Sequence, residues 1–506
     1  MKTIGGYVRD HGARRSSAVA LVFEGGGTSY GELDRRASRI ANGLAAMGLQ
    51  PGARVAYLGK NRDIYFEYWM GAIRAGMVLV PINWRLAPPE VAYILHDCSP
   101  ALLLADPEFL ARLDPAPGCP VLLTEAGEGE PFAQWRDRQA EGDPQADGGY
   151  EDVVLQLYTS GTTGNPKGAM LTNRSLLALR DAVPAEALPD WYRWSTEDVA
   201  LVAMPIFHIS GSGWGLWALQ HGAKAIVVRD FDPHQVLDLL VRYRITKLMI
   251  VPTALRIVCD DPKAAGTDFS FLETICYGGS AIPLDLLRQA IGVFGCGFAQ
   301  MYGMTETAGT ITGLPPQDHD VDGNPRMASV GLPLPGVEIR ILGPDGAELA
   351  RGEVGEIAIR SAATMTGYYN RPEATAETID ADGWLRTGDA GRQDADGYVY
   401  LADRIKDMII TGGENVYPAE VENALFSHPD VHDVAVIGVP DPKWGEAVKA
   451  IIVPVEGRQP DPAAIIAWAR ERIAAYKAPK SIAFCEALPR NPSGKVLRRL
   501  LRDQYR

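Results

Sequence analysis

The stretch VVLQLYTSGTTGNPKG, Val153 to Gly168, joins an apolar run to a loop whose composition suits an anion. Val153 to Leu157 reads as a strand. The eleven residues that follow, Tyr158 to Gly168, hold three glycines, four aliphatic hydroxyls and one lysine. Glycine lets successive backbone N–H groups converge, the hydroxyls add donors, and Lys167 supplies positive charge, so the loop can wrap phosphates. It is not a Walker loop. The pattern G-x-x-x-x-G-K-[ST] cannot be threaded through it, because Pro166 falls five residues after Gly161. The plain alternative is a Gly/Thr turn that binds nothing.

Outward from this loop, short apolar strands alternate with amphipathic helices. Ser29-x-x-Glu32 has the form of a capping box. Behind it, Leu33, Ala37, Ile40, Ala41 and Leu44 make a helical stripe that Gly48 ends. Strands are expected at Val55 to Leu58 and Val78 to Ile82, with a helix around Tyr65 to Ala75 between them. The pattern recurs at Ala225 to Val228, Val236 to Tyr243 and Lys247 to Val251. Such alternation predicts parallel α/β layers. Pro115 to Gly149, rich in Pro, Gly and acids, reads as a surface connection. Beyond Gly331 the texture turns to short β runs, Val337 to Leu342 and Glu356 to Arg360 among them. A smaller α/β segment begins after Asp403. Its last helix starts at Asp461-Pro462 and shows an apolar face of Ile465, Ile466, Ala469 and Ile473.

A chain of 506 residues exceeds the size at which single cores stop growing, so at least two domains are expected. Hydrophobic residues at 46% and charged residues at 22% are ordinary for a globular protein. The net charge of −14 argues against a nucleic-acid binder, which needs a basic surface. Six scattered cysteines without a CxxC pair point to buried thiols in a reducing compartment. His428 and His432 flank Pro429 and Asp430 in a loop-like stretch, which predicts solvated histidines and no metal site. No run approaches the roughly 18 apolar residues of a membrane span, and no targeting signal is visible, so a cytoplasmic location is expected.

Further motifs follow the loop in order: PIFH (Pro205 to His208), YGGS (Tyr277 to Ser280), YGMTE (Tyr302 to Glu306), RTGD (Arg386 to Asp389), DRIKDMIITGGENVYP (Asp403 to Pro418) and PRNPSGK (Pro489 to Lys495). Together with the loop, they resemble the signature of the adenylate-forming superfamily: acyl-CoA synthetases, luciferases and peptide-synthetase adenylation domains. The likeness runs through nearly the whole chain. It implies an α/β fold with a large N-terminal domain of layered subdomains, residues 1–403. A small mobile α+β C-terminal domain, residues 404–506, would pivot near Lys406. The implied activity is that of an AMP-forming acyl-CoA synthetase using ATP, Mg²⁺ and coenzyme A, acting on a small-molecule carboxylic acid. The resemblance leaves room for a homodimer.

The resemblance also distributes roles. Thr159, Ser160, Gly161, Thr162, Thr163, Gly164 and Lys167 would cradle the phosphates, with Thr159 and Glu306 holding Mg²⁺. Gly279, Ser280, Ala281, Tyr302 and Gly303 would line the adenine and acyl site, and Thr305 would face a phosphate. Asp389 and Arg404 would hold the ribose or α-phosphate. His208 would flank the substrate carboxylate. Lys495 would stabilise charge on the α-phosphate during carboxylate attack. Gly412 and Gly413 would admit the coenzyme A arm, and Trp444 would stack on its adenine. Each residue taken alone has a blander reading: Asp389 as a turn residue, Arg404 as a salt-bridge partner of Asp403 or Asp407, His208 as a core side chain, Lys495 as a surface lysine, Trp444 as a packing residue between domains.

After His208 comes ISGSGWGLW, with Trp214, Trp217 and no acidic side chain. An amino-acid substrate would want a carboxylate there for its ammonium group, so a fatty or aromatic acid is expected. Two rival readings stand beside the synthetase: a free-standing adenylation enzyme that loads a carrier-protein thiol, and a nucleotide-binding regulatory protein without catalysis. Lys495, Glu306, Asp389 and the phosphate loop are all present, which speaks against the second.

Overall fold

The structure is a computed structural model that describes residues 2–144, 146, 148–159, 166–279, 282–404, 407–411, 414–490 and 496–505, with the backbone alone taken at 403–404 and 414–415. The chain divides into two units. The first comprises Met1–Met327, Pro333–Glu338 and Arg360–Leu385; the second comprises Ala328–Leu332, Ile339–Ile359 and Arg386–Arg506. The expected hinge, Lys406, lies outside the described residues.

Side-chain alternation along buried strands creates the layers of the first unit. On strand Arg54–Leu58, Val55 and Tyr57 enter one core while Ala56 and Leu58 enter another. On strand Val199–Val202, Ala200 and Val202 join the first of these cores and Leu201 a third. Strands buried on both faces read as continuous apolar runs, and this is the mark of parallel sheets between helices. One sheet runs, in spatial order, Gly309–Leu314, Gly297–Met304, Thr274–Gly278, Lys247–Ile250, Val199–Val202, Lys224–Val227, Val19–Phe23, Gly26–Ser29. Its inner pairs are parallel, and a hairpin closes each of these ends. The other runs Gly367–Tyr368, Lys167–Thr172, Val153–Thr159, Val78–Ile82, Arg54–Leu58, Leu102–Ala105, Val121–Leu123, Glu130–Pro131. Helices Tyr30–Ala46, Asp63–Arg74 and Ile209–His221 contribute to the core that both sheets share. The architecture is α/β, as the alternation predicts.

Two local expectations need amending. Ser29 does cap its helix, its Oγ accepting from Glu32 N–H at 3.2 Å. Glu32 does not complete a capping box, because its carboxylate pairs with Arg36 one turn on. Residues 115–149 are more than a surface connection: they add the last two strands at one end of the sheet that contains Arg54–Leu58, and the helix Phe132–Asp137, which buries Phe132 and Trp135. Arg136 of that helix reaches the buried Glu67 at 2.5 Å.

In the second unit, strands Val337–Leu342, Gly355–Ser361, Leu385–Gln393 and Val399–Arg404 form one sheet, in that order. A second sheet pairs Val431–Asp441 antiparallel with Gly445–Pro454, and Ser481–Phe484 runs parallel to the latter. Alternate residues of Val431–Asp441 face opposite ways. Val434 and Val436 pack with helices Pro418–Phe426 and Pro462–Arg470, and Ala435 and Ile437 pack with Leu501 of helix Arg498–Tyr505. Ile465 and Ala469 of Pro462–Arg470 are buried, and Ile473 packs beside them just past its end. The six cysteines are free. His428 lies against Trp468 and His432 is exposed. Among the described residues no helix is long and apolar enough to cross a membrane, and no group of three acidic, histidine or cysteine side chains could hold a metal ion.

Candidate active site

Strands Val153–Thr159 and Lys167–Thr172 are antiparallel partners, with Thr159 opposite Lys167. The phosphate-loop candidates Ser160, Gly161, Thr162, Thr163 and Gly164 sit between those two residues and lie outside the described residues. The ladder therefore fixes both ends of the loop. Tyr158 and Arg371 share one support beside it: Asp97 accepts from Tyr158 Oη at 2.6 Å and from Arg371 Nη2 at 2.6 Å.

Glu306 reaches this place from 147 residues along the chain. It stands on the short turn Thr305–Thr307 that follows strand Gly297–Met304, and it is 5% exposed. Its Oε1 accepts from Thr159 Oγ1 at 3.2 Å and from Tyr368 Oη at 2.8 Å. Lys167 Nζ lies 4.9 Å from the centroid of the Tyr368 ring. A carboxylate, a hydroxyl and a lysine thus converge at the mouth of the loop, with Tyr368 as the shared support. Tyr368 belongs to no motif singled out above. Its only sequence signal is the pair Tyr368-Tyr369 after Gly367, and aromatic pairs are usually packing residues.

The chain itself explains two glycines. A side chain on Gly303 would sit 1.6 Å from the carbonyl oxygen of Gly309, across the bulge where strand Gly297–Met304 meets its partner. Gly279 has φ of +81°, a conformation that L side chains rarely adopt. Gly279 follows strand Thr274–Gly278, which neighbours the strand that carries Tyr302. Ser280 and Ala281 lie outside the described residues. Tyr302 and Thr305 are half-buried. His208 is the N-cap residue of helix Ile209–His221, half-buried, with its ring 4.7 Å from that of Phe207.

In the second unit, Asp389 and Arg404 are cross-strand partners on adjacent strands. Asp389 is buried, and its N–H donates to Thr387 Oγ1 at 3.1 Å. Asp407 is ion-paired with Arg502 at 2.8 Å and with Arg498 at 3.8 Å. Trp444 is 42% exposed in a hairpin turn, with Lys443 Nζ 4.5 Å from its ring centroid. Gly412, Gly413 and Lys495 lie outside the described residues.

A hard, small cation suits the Glu306 arrangement. Mg²⁺ takes one or two carboxylates and completes its shell with water and phosphate oxygens, without needing a protein cage. One buried carboxylate beside a phosphate-loop candidate meets that description, and both hydrogen bonds given above fall on Oε1.

Known proteins carry the same architecture. Residues 8–369 match the AMP-binding enzyme family, and residues 420–495 match the AMP-binding enzyme C-terminal domain. The chain belongs to this family of adenylate-forming ligases. It is 43% identical to the fatty acid–[acyl-carrier-protein] ligase ScoC of Streptomyces coeruleorubidus, over 98% of this chain and 95% of that one. It is 40% identical to a feruloyl-CoA synthase of Amycolatopsis sp, over 97% of each chain. Among solved structures, ATP-bound MatB from Rhodopseudomonas palustris superposes with a TM-score of 0.89 at 33% identity, over 99% of both chains.

Proposed function

We propose that this chain activates a carboxylic acid with ATP as an acyl-adenylate, releasing pyrophosphate, and then passes the acyl group to the thiol of coenzyme A. The observation that carries the reading is the meeting of Glu306, Thr159 and Lys167 at the base of the Thr159–Lys167 loop. The loop would cradle the phosphates, Lys167 would hold the departing pyrophosphate, and Glu306 with Thr159 would hold Mg²⁺. When bound, Mg²⁺ would neutralise charge on the phosphate oxygens. Asp389 and Arg404, adjacent across their strands, would take the ribose hydroxyls, and His208 would flank the acid's carboxylate. Lys495, on a domain that pivots near Lys406, would stabilise the charge that develops at the α-phosphate.

A second acceptor is favoured by one finding. ScoC, at 43% identity, is by its name a ligase to acyl-carrier protein. The feruloyl-CoA synthase at 40% identity supports coenzyme A. Pyrophosphate release is to be measured over a panel of fatty and aromatic acids, with coenzyme A and a holo carrier protein compared as acceptors. Acid-dependent release that coenzyme A converts to thioester supports the proposal, while turnover with the carrier alone replaces the acceptor. Binding of ATP without release on any acid would leave a non-catalytic nucleotide binder.

A further inference from the structure

Arg180, near the end of helix Asn173–Asp181, is 6% exposed and makes no ion pair among the described residues. Its Nη1 donates to the carbonyl of Tyr192 at 2.9 Å. Its guanidinium lies 4.1 Å from the ring centroids of both Tyr192 and Trp217, and 5.9 Å from that of Trp194. Nε and Nη2 are buried and unpaired among the described residues. The adjacent Asp181 instead accepts from Tyr7 Oη at 3.3 Å. A guanidinium stays charged inside proteins, and aromatic faces stabilise the cation without satisfying the N–H groups at its edge.

Further donors in the surrounding box are unmatched. Trp214 Nε1 and the Tyr192 hydroxyl are also buried there and unpaired among the described residues. The Trp214 ring lies 4.9 Å from Trp194 and 5.7 Å from Trp217. The remaining pair on Arg180, Nε with Nη2, is one edge of the planar fork. Elsewhere in this chain the same edge grips carboxylates with two bonds. Arg360 holds Glu338 this way at 3.0 and 2.8 Å, and Arg9 holds Asp143 at 2.8 and 2.8 Å. A planar group that only accepts, with two oxygens, matches the unused donors.

Two elements connect this box to the proposed reaction site. Trp217 stands nine residues along the helix that His208 caps, about 13 Å at helical rise. Cys276 belongs to the same core as Tyr192 and Trp214, and Gly279 follows it by three residues, about 10 Å along an extended strand. We propose that Arg180 forms a second carboxylate site, which takes the far end of a dicarboxylic acid whose other carboxyl is activated. This rests on the acid-activating function proposed above. The spacing corresponds to a chain of roughly nine to eleven carbons at ordinary bond lengths.

The test is calorimetric binding to the full chain, with a non-hydrolysable ATP analogue present. Octanedioic, decanedioic and dodecanedioic acids are compared with monoacids of equal length, and pyrophosphate release is followed in parallel. At one length the diacid binds about tenfold tighter or more. Arg180→Met abolishes that preference, leaves monoacid binding unchanged and does not lower the melting temperature. Arg180→Lys, which keeps charge but loses the fork, and Trp214→Phe each reduce it; they carry the test if Arg180→Met does not fold. A wild type indifferent to the second carboxylate at every length overturns the site. So does a preference that survives Arg180→Lys and Trp214→Phe, or an Arg180→Met protein that weakens both acids alike and melts lower, as a structural arginine would. Preferred diacid binding without pyrophosphate release would instead overturn the proposed function and leave the site standing.

Discussion

Tyr368 and Thr159 both donate to Oε1 of Glu306, so the carboxylate's orientation depends on them. Groups that orient a metal ligand typically contribute 10- to 100-fold to metal affinity. Tyr368→Phe keeps the ring under Lys167 and removes one donor. It is expected to raise the Mg²⁺ concentration for half-maximal pyrophosphate release about tenfold, with folding unchanged. Unaltered Mg²⁺ dependence would take Glu306 out of metal binding. Glu306→Gln should lower the rate at saturating Mg²⁺ about 100-fold or more, since it removes the charge itself. Thr159, Lys167 and Glu306 were legible because motifs flag them one by one. The meeting of Thr159 and Glu306 was legible only through the family resemblance, because 147 residues separate them and no local pattern links them. Arg180 was still less visible. In sequence it is a basic residue near a helix end, where a surface position is the default, and the rings that enclose it arrive from residues 192 to 217.

Helix Asp63–Arg74 lies in the core that both sheets share, yet it carries two carboxylates. Glu67 is fully buried and held by Arg36 and Arg136. Glu67→Leu would leave both guanidiniums partly uncompensated, and about 3 kcal/mol of stability should be lost in urea unfolding. Asp63, one turn earlier, has its pKa pushed up to about 6, by burial first and then by the Glu67 charge. Between its ordinary value of 3.8 and about 6, the folded chain binds more protons than the unfolded chain. Stability from this group therefore falls as pH rises through that window and is level above it. Asp63→Asn should gain on the order of 1 kcal/mol at pH 7.5 and little at pH 4. His221 slopes the other way: burial and the Arg180 charge push it down to about 3, so its contribution grows as pH rises toward 6.5. The difference between Asp63→Asn and wild type cancels that term, and an equal gain at both pH values would refute the Asp63 shift. The helix itself was readable from apolar spacing to within a few residues. Its depth was not, since burial all round comes from two sheets that local periodicity cannot see. The strands and helix within residues 115–149 escaped notice for the same reason. Val121–Leu123 is too short to stand out until Leu103–Ala105 lies beside it.

At the scale of the molecule, the residues proposed to serve one nucleotide fall on both sides of Lys406 in the chain. Thr159, Lys167, Glu306 and Asp389 precede it, while Lys495 follows it. Two half-reactions make opposing demands on such a division. Adenylation needs water excluded and a cation at the α-phosphate, whereas thioester formation needs room for a thiol. A domain that turns about Lys406 would meet both demands in sequence. Lys495→Ala separates them experimentally, because the lysine is proposed to act in one step only. Acid-dependent pyrophosphate release should fall by about 100-fold or more, the loss typical of a charge-stabilising donor. Conversion of a supplied acyl-adenylate to its coenzyme A thioester should stay within about twofold of wild type, since that step makes no new charge at phosphorus. Equal loss in both assays would mean that Lys495 supports the fold or the nucleotide throughout. Equal retention would move the cation for the first step to Lys167, which the structure already places beside the loop.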